Sequence, residues 1–117
     1  MRAIRGAISI DENSKKKILA DTKKLLVEMI QKNNIDQEEI VSIEFTATRD
    51  LDEVYPAVSA RKIGLMNIPL LCFQEMHVKK SLEKCIRIMI YINRDCSLDD
   101  INHVYLKKAE QLRPDLT

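Results

Sequence analysis

Tryptophan is absent from this 117-residue chain, and two phenylalanines and three tyrosines bring aromatics to only 4%. So sparse a set offers no platform on which nucleic-acid bases could stack. Glycine occurs only at positions 6 and 64, which excludes a Gly-rich phosphate loop. Neither sign of charge prevails: 19 Lys and Arg meet 18 Asp and Glu, for a net charge of +1. No general electrostatic drive toward nucleic acid or a membrane surface follows from that balance. Apolar runs never approach the roughly 18 residues of a membrane span. A signal peptide is also not expected, because Arg5 and Gly6 break the N-terminal segment before it turns polar.

The three cysteines, Cys72, Cys85 and Cys96, lack metal spacing, and their odd number argues against a disulfide framework. His77 and His103 have no carboxylate or cysteine at ligand spacing, so no metal is expected. His77 is nominally available as a base for Cys72, yet no oxyanion loop or triad-like motif accompanies the pair. Nucleophile, metal and cofactor cradle are all missing from the expectation. What remains is a soluble, cytoplasmic, cofactor-independent protein, one domain over residues 1–117, small enough to profit from oligomerisation.

What the chain does contain is an arginine inside an apolar strand. Cys85 to Ile92 is β-branched and aromatic, with turn formers just beyond. Side chains alternate along a strand, so Ile86, Ile88, Ile90 and Ile92 share one face while Cys85, Arg87, Met89 and Tyr91 share the other. Both faces read as buried. A buried guanidinium cannot shed its charge, so a carboxylate or an anionic ligand must meet Arg87.

Around this strand the pattern predicts an α+β domain with one principal sheet. A first strand is expected over about 2–10, with Ala3, Arg5, Ala7 and Ser9 on one face. A helix follows from Asn13 or Ser14 to about Asn33, its stripe formed by Ile18, Leu19, Leu25, Leu26, Met29 and Ile30. Lysines 15, 16, 17, 23 and 24 form its solvated face. Asp36 caps a short turn before a strand at about 40–48, where Val41, Ile43, Phe45 and Ala47 alternate with polar residues. Pro56 suits the first position of a short helix ending near Gly64. Further strands are expected at about 68–73 and 84–93, and a last extended segment after Ile101. The two helices cover only one sheet face. The second apolar face, around Met89 and Tyr91, therefore predicts association with other subunits.

Arg5, Arg61, Glu75, Arg87, Tyr105 and Arg113 all sit in apolar or turn-rich stretches, outside the charged helix face. Several arginines with one carboxylate make a pocket for a small polyanion, because the guanidinium fork matches carboxylate geometry. An internal Arg–Glu network that only pins the sheet satisfies the same residues. The composition leaves both open.

Arg2-Ala3-Ile4-Arg5-Gly6-Ala7 resembles the N-terminal strand of the monofunctional, trimeric chorismate mutases, the AroH class. Tyr55-Pro56-Ala57 with Arg61 fits the same family, as does the run from Pro69 to Met76. So do Lys84 to Arg87, His103 to Leu106, and the ending Leu112-Arg113-Pro114-Asp115-Leu116, in order over nearly the whole chain. The resemblance implies a homotrimer whose sheets and helices form a pseudo-α/β-barrel, with the uncovered sheet face inside the assembly and three sites between subunits. It implies the rearrangement of chorismate to prephenate, a [3,3]-sigmatropic shift that needs no nucleophile, proton transfer or cofactor. Carried over by residue, Arg87 donates to the breaking ether oxygen, Arg5 binds a carboxylate beside Tyr105, and Glu75 accepts from the ring hydroxyl near Cys72. Tyr55 and Ala57 form pocket wall, Leu71 approaches through its backbone, Arg61 and Arg113 form a basic rim, and Leu112 lines the pocket.

Departures from the family pattern are Val58 where a lysine occurs, Leu71 for a hydroxyl residue, Tyr55 for a phenylalanine, and a shorter segment near Gly64. The end of the chain soon after Leu116 predicts no long tail over the site. These differences bear on substrate capture more than on the chemistry. Two rivals stay open: a non-catalytic module that binds a carboxylate metabolite, and an imine or enamine deaminase on a similar trimer.

Overall fold

A computed structural model describes residues 1–112. Strands β1 (Arg2–Ser9), β2 (Ile40–Ala47), β3 (Leu70–Gln74), β4 (Cys85–Ile92) and β5 (Val104–Leu106) form one sheet. Its spatial order is β3-β2-β4-β1-β5. The central pairs β2/β4 and β4/β1 are antiparallel, while both edge pairs, β2/β3 and β1/β5, are parallel. Helix α1 (Lys15–Lys32) links β1 to β2, and α2 (Ala57–Lys62) links β2 to β3. Short 3-10 turns precede β2 and β5, and a longer one, Lys107–Leu112, follows β5.

Local chemistry accounts for the boundaries. Ser14 is the N-cap of α1, its side chain accepting from the Lys17 N–H. Asp36 caps the turn before β2 in a reciprocal capping box with Glu39. Pro56 precedes α2 as its cap with helical φ and ψ, one position earlier than expected. Gly64, at φ +96°, reverses the chain after α2, in the left-handed region that only glycine enters freely.

Both helices pack on one face. Ile4, Ile8, Ile43, Phe45, Ile86, Ile88, Ile90 and Ile92 are buried there against Ile18, Leu25, Leu26 and Met29 of α1. Each fully buried side chain of this size contributes about 1.5–3 kcal/mol. Gly6 permits the approach of α1: a Cβ at this position would lie 2.4 Å from Met29 Sδ. The Ser59 hydroxyl donates to the Leu19 carbonyl at 2.8 Å, fixing α2 on α1.

Three expectations need correction. Val41 does not point inward but is 43% exposed. The β2/β4 register slips between Ile40 and Ser42, so the extra residue resets the alternation and puts Ile40 in the core instead. The third strand begins at Leu70 and runs to Gln74, two residues later at the start than the apolar pattern suggests. The second face of β4 is not greasy: register places Arg5, Glu44 and Thr46 beside Met89 and Arg87, and the face is only half-buried. At one end the C-terminal 3-10 turn covers it, where Ala109 and Leu112 pack with Ala7, Cys85 and Tyr105.

Arg94 ties the end of β4 to the turn before β2, through both oxygens of Glu39 and the Asn34 carbonyl. The Arg94 hydrogen bond holds the Glu39 carboxyl below the usual glutamate value despite partial burial. Replacing Arg94 by methionine is expected to lower stability by about 1 kcal/mol near neutral pH. A depressed carboxylate pKa adds stability above its unfolded value and loses it as pH falls through the folded one. The gap between wild type and variant in urea denaturation should therefore close on acidification.

Candidate active site

Strand register builds the site row by row. Thr46 pairs with Phe73 and Arg87, Arg87 with Ala7, and Ala7 with Tyr105. One row across the open face thus reads Phe73, Thr46, Arg87, Ala7, Tyr105. Small residues flank the arginine on both sides, which leaves room above its strand. The next row is Leu71, Glu44, Met89, Arg5. Above the two rows lies a depression of about 280 Å³ lined by Arg5, Thr46, Phe73, Glu75, Arg87 and Tyr105, among others.

Its polar groups are specifically partnered. Arg87 Nε lies 3.2 Å from Glu75 Oε1. That N–H is buried yet has no aligned hydrogen-bond acceptor among the described residues, so the contact is an ion pair with donor capacity left over. Thr46 donates its hydroxyl to the same Glu75 oxygen at 2.8 Å. Arg5 Nε donates to the Tyr105 hydroxyl oxygen at 3.0 Å. Arg5 forms no ion pair among the described residues. The Tyr91 hydroxyl donates to Glu44 at 2.9 Å, and this bond raises the phenol pKa. Below Arg87, burial pushes the Cys85 thiol up to about 11 against the pull of the guanidinium, so it stays neutral at physiological pH.

The remaining candidates lie elsewhere on the chain. Cys72 pairs in register with Phe45 and faces the helices, the side opposite Arg87. Burial raises its pKa, while the Ala57 backbone N–H and the Arg61 charge pull it down, which ties Cys72 to the start of α2. Tyr55 and Cys72 line a separate cleft of about 610 Å³ that shares Phe73 with the first depression. Ala57 is buried, Arg61 exposed, and Tyr55 is 73% exposed. Leu71 sits at the open edge of the sheet, 56% exposed. Leu112 packs against the cluster of Ala7, Cys85, Tyr105 and Ala109, and Arg113 lies outside the described residues. One chain therefore brings Arg5, Glu75, Arg87 and Tyr105 together, and leaves Tyr55, Ala57, Arg61 and Cys72 as a second group.

A model of the chorismate mutase type I family matches residues 1–116. The chain belongs to that family. Among curated relatives of these type I mutases, chorismate mutase AroH of Bacillus subtilis (strain 168) is 42% identical over 118 residues, covering 100% of this chain and 93% of its own. Chorismate mutase AroH of Thermus thermophilus is 42% identical over 117 residues, covering 99% and 96%. In structure, the chorismate mutase from Clostridium thermocellum superposes with a TM-score of 0.93 at 46% identity, over 95% of this chain and 99% of that one.

Sequence reasoning missed Thr46, Phe73 and Met89 as neighbours of Arg5, Glu75 and Arg87 in this candidate site. Thr46 carried one signal, its place on the polar side of the β2 alternation. Only the strand order, however, puts it beside Arg87. Arg49 and His77 were also missed as a pair, 3.2 Å apart on neighbouring loops. Among the described residues no three of His, Cys, Asp and Glu converge as a metal site, and no helix is long and apolar enough to cross a membrane.

Proposed function

We propose that this chain is a chorismate mutase, converting chorismate to prephenate on the route to phenylalanine and tyrosine. The observation that carries the reading is the convergence of Arg87, Glu75 and Arg5 with Tyr105 on one depression, in a chain of this family. The reaction is pericyclic. It needs the enolpyruvyl arm held over the ring and charge stabilised as the ether C–O bond breaks. No covalent intermediate, proton transfer, metal or cofactor takes part.

Arg87 donates to the ether oxygen, where negative charge grows only as the bond breaks, so its contribution is larger in the transition state than in the ground state. The unaligned, buried Nε supports that role. Glu75, oriented by the Thr46 hydroxyl, accepts from the ring hydroxyl and balances the positive character that develops on the ring. Arg5 takes a substrate carboxylate, with its guanidinium held against the Tyr105 phenol. Leu112 packs against the small cluster that holds Tyr105, and Arg113, the other rim cation that the family resemblance implies, lies outside the described residues.

The working form is a homotrimer, one domain of residues 1–117 per subunit, in the cytoplasm. Its sites are composite: Arg5, Glu75, Arg87 and Tyr105 of one subunit face Tyr55, Ala57, Arg61 and Cys72 of the next. Two observations support this. The second group lies away from the first within a chain, and Tyr55, Leu71 and Phe73 expose apolar surface beside the open sheet face. Loss of chorismate absorbance with purified protein, before and after EDTA treatment, is the direct test. Accelerated, EDTA-insensitive loss with prephenate as product is expected. A rate no higher than the spontaneous one would leave a carboxylate-binding module.

A further inference from the structure

The loop from Glu75 to Lys84 joins the two residues of the catalytic ion pair, Glu75 at its start and Arg87 just past its end. Both ends of this loop are tied to the end of β2 and the turn that follows it, the first to Ala47 and the second to Thr48 and Asp50. At the first end, the Glu75 N–H donates to the Ala47 carbonyl at 2.8 Å. At the second, Thr48 makes a two-way contact with Cys85, the first residue of β4. The Thr48 N–H donates to the Cys85 carbonyl at 3.1 Å, and the Cys85 N–H donates to the Thr48 hydroxyl oxygen at 3.0 Å. That hydroxyl in turn donates to Asp50. The Asp50 carboxylate also receives the Lys84 N–H, with its two oxygens at 3.2 and 3.1 Å.

Lys84 holds a left-handed backbone at φ +46°, a conformation disfavoured for a residue with a Cβ. Such a residue persists only where its surroundings over-determine it. Here the surroundings are the Asp50 carboxylate on its own N–H and the Thr48 hydroxyl on the next one. Both acceptors are half-buried. Without them the chain can relax at Lys84, three residues before it delivers Arg87 to the row between Thr46 and Ala7.

We propose that Thr48 and Asp50 are positioning residues that act through the Lys84 and Cys85 backbone to hold Arg87 against Glu75. Among the described residues their side chains form no hydrogen bond or ion pair with the Glu75 or Arg87 side chain. The inference rests on the chorismate reading above. Charge stabilisation is steep in geometry, so a small displacement of Arg87 falls on turnover and leaves ground-state binding nearly unchanged.

The test compares Thr48→Val, Thr48→Ser and Asp50→Asn with wild type in the chorismate assay. Thr48→Val keeps the shape but removes both the acceptor for Cys85 and the donor to Asp50. It is expected to lower kcat about tenfold with KM within about twofold, and Thr48→Ser to restore kcat to within about twofold. A folded Thr48→Val enzyme with wild-type kcat overturns the proposal, even if it melts earlier, and so does a failure of serine to rescue. Asp50→Asn keeps one acceptor oxygen and loses the charge, so a smaller kcat loss of about threefold is expected. It decides the matter if Thr48→Val does not fold, wild-type kcat again being the overturning result. Amide hydrogen exchange separates this inference from the chorismate reading. In Thr48→Val, or in Asp50→Asn, the Lys84 and Cys85 amides should exchange faster while Ile90 is unchanged, whether or not chorismate is the substrate; unchanged exchange at both amides overturns the positioning role of Thr48 and Asp50.

Discussion

Arg87→Ala is expected to lower chorismate turnover by a hundredfold to a thousandfold while the protein stays folded, the scale for losing one donor aimed at developing charge. The two halves of this expectation have separate causes. The stability half follows from exposure: the Arg87 side chain is 40% exposed and Glu75 24%, so their pair is well solvated in the isolated chain. Pairs of this kind contribute about 1 kcal/mol or less. After truncation Glu75 keeps its Thr46 hydrogen bond, so no carboxylate is stranded. The catalytic half follows from the buried Nε, which has a nearby carboxylate but no aligned acceptor among the described residues. A donor already satisfied would have little left for a transition state.

Steady-state kinetics, a thermal melt and sedimentation on the same preparation separate the outcomes. A normal melt and assembly with kcat down at least a hundredfold is the expected set. Unfolded or dissociated protein whose folded fraction turns over normally would make Arg87 a structural ion-pair partner. Arg87→Lys should fall between, because an ammonium restores charge but not the planar fork.

The helices and central strands were legible because their signals are local. The α1 stripe, its Ser14 cap and the isoleucine alternation of β4 each depend on neighbours a few residues apart. The bulge at Val41 was not legible, since it is defined by the partner strand and not by β2 itself. Strand β5, three residues long, has too little pattern to place. Polar character on the open face was hidden for the same reason. Arg87 reads as a cation among apolar neighbours along its own strand. Across the sheet it sits between Thr46 and Ala7, with Glu75 reaching it from a loop.

For the candidate site, family resemblance named Arg5, Glu75, Arg87 and Tyr105, which the fold brings together, but not the partition of the other candidates. Cys72 and Glu75 are three apart in sequence and were expected beside one substrate hydroxyl. In one chain, Cys72 points to the helix side while Glu75 turns to the open face. The alternation of β3 separates the two within one chain, and in the composite site proposed above a neighbouring subunit supplies the second group.

That division leads to the second large effect. If each site takes Arg87 from one subunit and Arg61 from the next, Arg87→Ala and Arg61→Ala proteins should each be nearly inactive alone and regain activity when mixed. In a randomly assembled one-to-one mixture, a site is intact only where an Arg61→Ala subunit supplies Arg87 and an Arg87→Ala neighbour supplies Arg61. Each condition holds for half the subunits, so about one quarter of sites should recover, a several-tens-fold rise over either parent. Joint refolding from denaturant followed by the chorismate assay reads this directly. Recovery near one quarter requires both shared sites and subunit exchange, because a site contained within one chain can never be repaired by a neighbour. Activity after mixing no higher than the mean of the two parents would place the whole site on a single chain, and the open face around Phe73 and Leu71 would then need another explanation.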